Sequence, residues 1–434
     1  MTSEIKPTIR TVTAFVNLNA DDFEDVTTES SEGSSVDAKV TSCVGVLRAM
    51  EKELGSAGYV VQTVRIATNP FGEWLLTSEA DVPSDDDNEN PESVAKKAKT
   101  EQLTRVDLLD NLLMEHEIEF CSVGPAQNQN EAQFCPAIVA KSHRFSCSMV
   151  VDSGDVDAAS CAAETILTIA KLDSGDHVKA GLGNFRFCAA ASCKPYIPFF
   201  PAAKSISNAA IRDSQNLDKV SFAVGLENGR LARKLLNECQ SVRNINTRFR
   251  EQMAVALWPI RDIADEVAEK LSASFLGMDS SLNPSLDDDG SVAAAIEELE
   301  EVAVFGGPGT LGAAAEITKA LQSLPDVPLV GYCGLMLPVC EDKRLAQLAS
   351  TTERKNDRRL RITDLLSISS VCGVGIDTVP VPGNCSKDEL SSLILDVAGI
   401  AGRWDKSLSC RVFPVPGKAA GEMTEFGSPY MVNS

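Results

Sequence analysis

Apolar residues recur along this chain in two periods that take turns over most of its length. Residues 9–18 (IRTVTAFVNL) alternate with period two and are rich in β-branched types, which predicts a first strand. Residues 36–54 carry apolar positions at helical spacing and run out at Gly55 and Gly58, which predicts a helix with glycine stops. Residues 59–68 (YVVQTVRIAT) return to strand and break at Asn69-Pro70. Strand, helix, strand is the unit of a parallel sheet. The alternation continues with helices over 102–114, 157–172 and 209–217, and strands over 118–123, 184–191 and 220–226. A long helical region over 231–271 is expected to break near Pro259, with a short strand over 275–278 after it. Strands are expected at 302–305, 328–332, 371–379 and 408–413, and a helix at 387–400. No internal repeat of fixed short period is visible. The pattern predicts one large α/β domain over residues 1–434, and a closed barrel is compatible with it.

One stretch stands apart. Residues 78–100 (SEADVPSDDDNENPESVAKKAKT) hold almost no large apolar side chain and segregate acid from base. They read as a disordered surface insertion. KKAK within it is the end of a solvated loop or a nuclear import signal.

Composition narrows the function classes. Asp and Glu number 62 against 40 Lys and Arg, a net charge of −22, which disfavours partnership with nucleic acid or an anionic membrane. No apolar run reaches the length of a membrane span, and the start MTSEIKPTIR has no apolar signal core. Thirteen cysteines lack framework spacing, which predicts thiols in a reducing compartment, most simply the cytoplasm. His116, His143 and His177 are not paired at helical spacing, so a histidine-rich zinc site is not expected.

Candidate chemistry centres on residues 302–311 (VAVFGGPGTL). A short strand, a glycine-proline turn and a small-residue helix would aim free backbone N–H groups at an anion, through Gly307, Gly309 and Thr310. Gly307, Gly309 and Gly312 also spell G-x-G-x-x-G. The acid expected to close the next strand is missing, and Pro308 removes an N–H, so NAD or flavin is disfavoured. Close packing of strand on helix is the alternative explanation of these glycines. In parallel α/β folds ligands gather beyond the carboxyl ends of strands. There Asn69, Arg65 and Arg186 are candidate ligand-binding residues, the arginines because a guanidinium in an apolar strand needs a carboxylate, from a ligand or from within the protein. Asp279, Ser280, Asn283 and Ser285 offer oxygens in one loop for Ca²⁺ or Mg²⁺, though helix capping accounts for Ser291 more simply. Asp279, Asp377 and Cys188 are the catalytic candidates, Cys188 as a nucleophile, with an inert buried thiol as the alternative. No Ser-His-Asp order, H-E-x-x-H or P-loop is present.

Six ordered blocks carry a resemblance. VQTVRIATNPFGE, GLGNFRFCAAASCKPYIPFFPAA, FLGMDSSLNPSL, FGGPGTLGAAAEITKAL, VCGVGIDTVPVPG and the C-terminal SCRVFPVPGKAAGEMTEFGSPYMVNS resemble the domain of unknown function 711 family over nearly the whole chain. The resemblance implies a pyruvate formate-lyase-like closed α/β barrel of about ten strands. It does not imply radical chemistry, because the sequence around Gly427 lacks the R-V-x-G-Y type glycyl radical motif. Similar proteins continue the PFFPAA block with Tyr-His, where this chain has Lys204-Ser205. Bacterial relatives are often encoded beside ACT-domain proteins, which makes such a regulator an expected partner, together with a homo-oligomer. The resulting expectation is a cytoplasmic, non-radical lyase or hydrolase acting on a small carboxylate- or phosphate-bearing metabolite. The alternative is a non-catalytic protein that binds the same metabolite for regulation.

Overall fold

The computed structural model describes residues 5–24, 34–76, 91–173, 175–211, 219–350, 359–427 and 431–433. Among these residues nine strands form one sheet: β1 (Thr8–Val16), β2 (Val64–Thr68), β3 (Phe120–Ala126), β4 (Phe145–Val150), β5 (Phe187–Ala191), β6 (Ser221–Glu227), β7 (Ser274–Asp279), β8 (Gly375–Pro382) and β9 (Leu408–Val415). Their order is β7-β6-β1-β2-β3-β4-β5-β9-β8. β1 to β5 run parallel, and the β6–β7 and β9–β8 pairs run antiparallel to them on either flank. Helices between successive strands cover the outer face, as parallel crossovers require.

β1, β2 and β5 are buried almost throughout, so the inner face of the sheet is covered as well. Residues 192–206 cover part of it. Thr13 Oγ1 donates to the Pro198 carbonyl (2.8 Å) and Ser122 Oγ to that of Ala203 (2.7 Å). The Ser205 amide donates to the Thr68 carbonyl at 2.8 Å. Tyr196 meets Phe15 edge-on, with ring centroids 5.2 Å apart. The sheet curves around this segment and buries Phe199, Ile197 and Ala203 with it.

The expected closed barrel of about ten strands is not what the hydrogen bonds form. Edge strands β7 and β8 do not pair with each other. Residues 328–339 lie between them and make single parallel bridges only, Leu329 with Met278, Leu335 with Leu282, and Pro338 with Asp377. Pro328, Gly331, Gly334 and Pro338 interrupt the segment, which prevents a continuous ladder. Asp279, fully buried at the end of β7, clasps this segment. Its carboxylate accepts from the amides of Tyr332 (2.7 Å) and Cys333 (3.0 Å) and from the Ser281 amide and hydroxyl.

Several local expectations are corrected. Residues 302–305 are turn and bend, not strand, because the Phe305 amide turns back to Glu297 Oε1 and that of Gly307 to the Val304 carbonyl. The predicted strand at 328–332 is reduced to the bridge at Leu329. The long helical region breaks at Gln240, which has positive φ, and not at Pro259, which lies inside the helix Arg250–Leu271. β4 was not anticipated. Of the insertion at 78–100, residues 78–90 lie outside the described residues. Residues 91–100 begin the helix Pro91–Glu115, with proline at its first position and helix formers behind it.

Two outcomes follow. Asp279→Ala leaves three backbone amides without their acceptor and is expected to lower unfolding free energy by about 3 kcal/mol, read by denaturant titration. Gly309 has φ +93°, and a Cβ there would run into the Glu301 carbonyl. Gly309→Val is therefore expected to cost about 2 kcal/mol or more of stability, visible as a lower thermal midpoint.

Candidate functional site

Curvature of the sheet leaves a cavity of about 440 Å³ on its inner face. It lies at the amino ends of β2 to β5, with residues of the amino-terminal halves of β8 and β9 also in its wall. The expectation that ligands gather beyond the carboxyl ends of the central parallel strands is thus not followed by this cavity. Residues 192–206 occupy the interior toward the opposite end, and Phe199, Phe200 and Pro201 from that segment line the cavity.

Its walls carry charge of both signs. Five arginines contribute: Arg10 on β1, Arg65 on β2, Arg144 just before β4, Arg186 just before β5 and Arg411 on β9. Two carboxylates, Glu341 and Asp377, face them. Arg411 Nε donates to Asp377 Oδ1 at 2.6 Å and its Nη2 to Glu341 Oε1 at 3.2 Å. Its Nη1 donates to the Phe185 carbonyl at 3.1 Å. Arg10 Nη1 donates to Glu227 Oε2 at 3.0 Å, and its Nη2 lies 3.5 Å from Glu341 Oε2.

Arg186 is held differently. Its guanidinium donates to the carbonyls of Val139, Ser142 and Phe145 at 2.5 to 2.9 Å. Among the described residues no carboxylate lies within ion-pair distance of it. Burial lowers its pKa to about 10, which still leaves it a cation at neutral pH. Arg65 donates from Nε to Thr63 Oγ1 at 2.9 Å, and its guanidinium carbon lies 5.1 Å and 4.9 Å from the ring centroids of Phe120 and Phe200. Arg144 pairs with Asp110 at 3.3 Å. Gln62, Thr63, Tyr332, Asn283, Ser146 and Ser409 complete the polar lining, and Phe185 and Met336 form part of the apolar one.

The sequence candidates divide. Arg65, Arg186 and Asp377 come together in this cavity. Cys188 is buried next to it, in a cluster with Ile197, Phe199 and Tyr332, and burial pushes its thiol well above the usual range. Asp279 is enclosed by its four donors, and burial raises its carboxyl against their pull. Asn69 is also spent locally. Its amide bonds both backbone groups of Leu18 and the Glu73 carboxylate. Ser285 hydrogen-bonds Asp287 at 3.2 Å in a separate surface hollow.

Gly307, Gly309 and Thr310 do not line the arginine cavity. Their turn starts the helix Thr310–Leu321, but three of its amides are used at home, with Gly306 donating to Thr310 Oγ1, Gly307 to the Val304 carbonyl and Thr310 to the Gly307 carbonyl. The oxygens considered for Ca²⁺ or Mg²⁺ do not converge. Ser280 Oγ donates to the Leu321 carbonyl, and Asp279 and Ser285 are engaged as described. Among the described residues no group of three or more His, Cys, Asp or Glu is placed to hold a metal ion. No helix among them is long and apolar enough to cross a membrane.

Arg10, Arg144, Arg411 and Glu341 were missed. A signal was present for Arg10 and Arg411, which interrupt the apolar runs TIRTV and SCRVF as Arg65 and Arg186 interrupt theirs. Glu341 lies in an irregular segment, and nothing in its neighbours marks it.

Similarity to known proteins is extensive but uninformative about activity. A UPF0210 protein of Pyrobaculum islandicum is 33% identical over 171 residues, which cover 39% of this chain and 37% of that protein. One from Limosilactobacillus reuteri is 34% identical over 163 residues, 37% of this chain and 35% of the relative. Another, from Bifidobacterium longum, is 34% identical over 170 residues, 38% and 36% respectively. The matched stretch spans little more than a third of the length of these curated relatives. A family model described as Uncharacterised ACR (DUF711) matches residues 1–428, and the chain belongs to that family.

Proposed function

We propose that this chain binds a small organic anion in the arginine-lined cavity. The observation that carries this reading is Arg186, a buried cation in the cavity wall whose partners are carbonyl oxygens and not carboxylates. It stands with four other arginines against two lining carboxylates, in a protein whose overall charge is −22. Such a concentration of guanidinium in a low-dielectric interior favours an anion that brings its own charge. Phenylalanines 120, 185, 199 and 200 give the ligand's body an apolar wall, so a carboxylate or phosphate ester on a short carbon frame fits the lining better than a bare inorganic ion.

A lyase or hydrolase acting on that metabolite needs a titratable group facing it. Glu341 and Asp377 meet that requirement, and Tyr332 lines the same cavity, whereas Cys188 and Asp279 do not line it. The curved sheet with residues 328–339 bridging its edges supports a pyruvate formate-lyase-like architecture. Cysteines spread through the buried core support a reducing compartment, the cytoplasm. A homo-oligomer and an ACT-domain partner are part of the same reading, carried by resemblance alone.

The test is a thermal-shift screen of the full chain with succinate, glycerol phosphate and ethanedisulfonate. A ligand of the native state raises the midpoint by mass action. Arg65→Met is expected to weaken the bound anion by roughly tenfold or more, because a charge-assisted hydrogen bond is lost. No shift with any of these anions, or a shift that Arg65→Met leaves unchanged, refutes the proposal.

A further inference from the structure

We propose that the cavity takes up its anion together with a proton, and that Glu341 is the group that receives it. The inference rests on the organic-anion reading and deepens it.

Glu341 bridges two cations. Oε1 accepts from Arg411 at 3.2 Å and Oε2 lies 3.5 Å from Arg10. Arg411 in turn joins Glu341 to Asp377, and Asp377 holds the shorter contact, 2.6 Å to Nε. Four charged groups from four strands therefore face Glu341: Arg10 on β1, Arg65 on β2, Asp377 on β8 and Arg411 on β9. An anion drawn to Arg10 and Arg411 competes with Glu341, whose contacts are the longer ones, before it competes with Asp377.

Entry of that anion would place a third negative charge beside two buried carboxylates. Repulsion at such range is severe where water is excluded, and neutralising one carboxylate relieves it. Burial and the charge of Asp377 already push the Glu341 carboxyl above its ordinary range, while Arg411, Arg10 and Arg65 hold it down. A ligand that occupies those arginines removes the restraint. One proton leaves solvent, one O–H bond forms on Glu341, and no other bond changes. The protonated carboxyl then becomes a donor to the anion that replaced it. Glu341 would thus make the site selective for an anion that can accept this hydrogen bond.

Isothermal titration calorimetry of the full chain with succinate and with ethanedisulfonate tests this. The disulfonate stays ionised throughout, so any proton taken up with it belongs to the protein. The titrations are run in two buffers of different ionisation enthalpy between about pH 6 and pH 8. The expected result is a buffer-dependent heat equal to uptake of up to one proton per anion. Affinity should fall by as much as about tenfold per pH unit toward the alkaline side. Glu341→Gln, a neutral isostere, should bind without proton uptake and with affinity independent of pH. Asp377→Asn should retain the uptake. Binding by the native chain with buffer-independent heat and a flat pH profile overturns the inference and leaves the organic-anion reading standing. Uptake that persists in Glu341→Gln overturns the assignment to Glu341. If neither probe binds at any pH, this proposal falls. The glycerol phosphate shift then decides separately whether an anion binds at all.

Discussion

Burying several guanidinium groups inside one curved sheet is the constraint on which this architecture turns. A buried charge is tolerated only when hydrogen-bonded and electrostatically compensated. Each arginine meets that condition by tying distant parts of the chain together. Arg411 joins β9 to Asp377 on β8, to Glu341 beyond the bridging segment, and to the Phe185 carbonyl before β5. Arg186 gathers the carbonyls of Val139, Ser142 and Phe145, which fixes the approach to β4 against that to β5. Arg10 links β1 to Glu227 at the end of β6. The same guanidinium groups that tie the inner wall together line its cavity.

The second determinant is the segment at 192–206. Its carbonyls accept from Thr13 and Ser122, and its aromatic side chains pack against β1 and form part of the cavity wall. Without an inner filling, a sheet with helices on one face would expose its other face to water. The filling is partial, and the volume it leaves is the cavity. Fold and site are here consequences of one arrangement.

Sequence patterning located most of the scaffold, because period-two and helical apolar spacing register burial directly. It placed β1, β3, β6, β7 and β9 and the helices Ser35–Ser56, Val156–Ala170 and Lys387–Trp404 within a few residues. It failed at residues 302–305, where an apolar run is buried as a turn whose amides bond to Glu297 and Val304. It failed again at the bridging segment, where glycines and prolines allow isolated contacts but no ladder. The glycine-rich turn drew attention because its composition suits an anion. The amides of Gly306, Gly307 and Thr310, however, are satisfied by their own neighbours.

By itself the sequence determined the α/β class, the acidic exterior and the presence of arginines where strands should be apolar. It could flag Arg65, Arg186 and Asp377 singly, since each violates its local pattern. Only the tertiary structure decided that these three share one cavity with Arg10, Arg411 and Glu341. It also decided that Asp279, equally conspicuous in sequence, serves as a clasp for Tyr332 and Cys333. The physical reason is that burial is encoded locally through periodicity. The partner of a buried charge is set by strand order, and residues 411, 377 and 186 meet only after β5, β9 and β8 lie side by side.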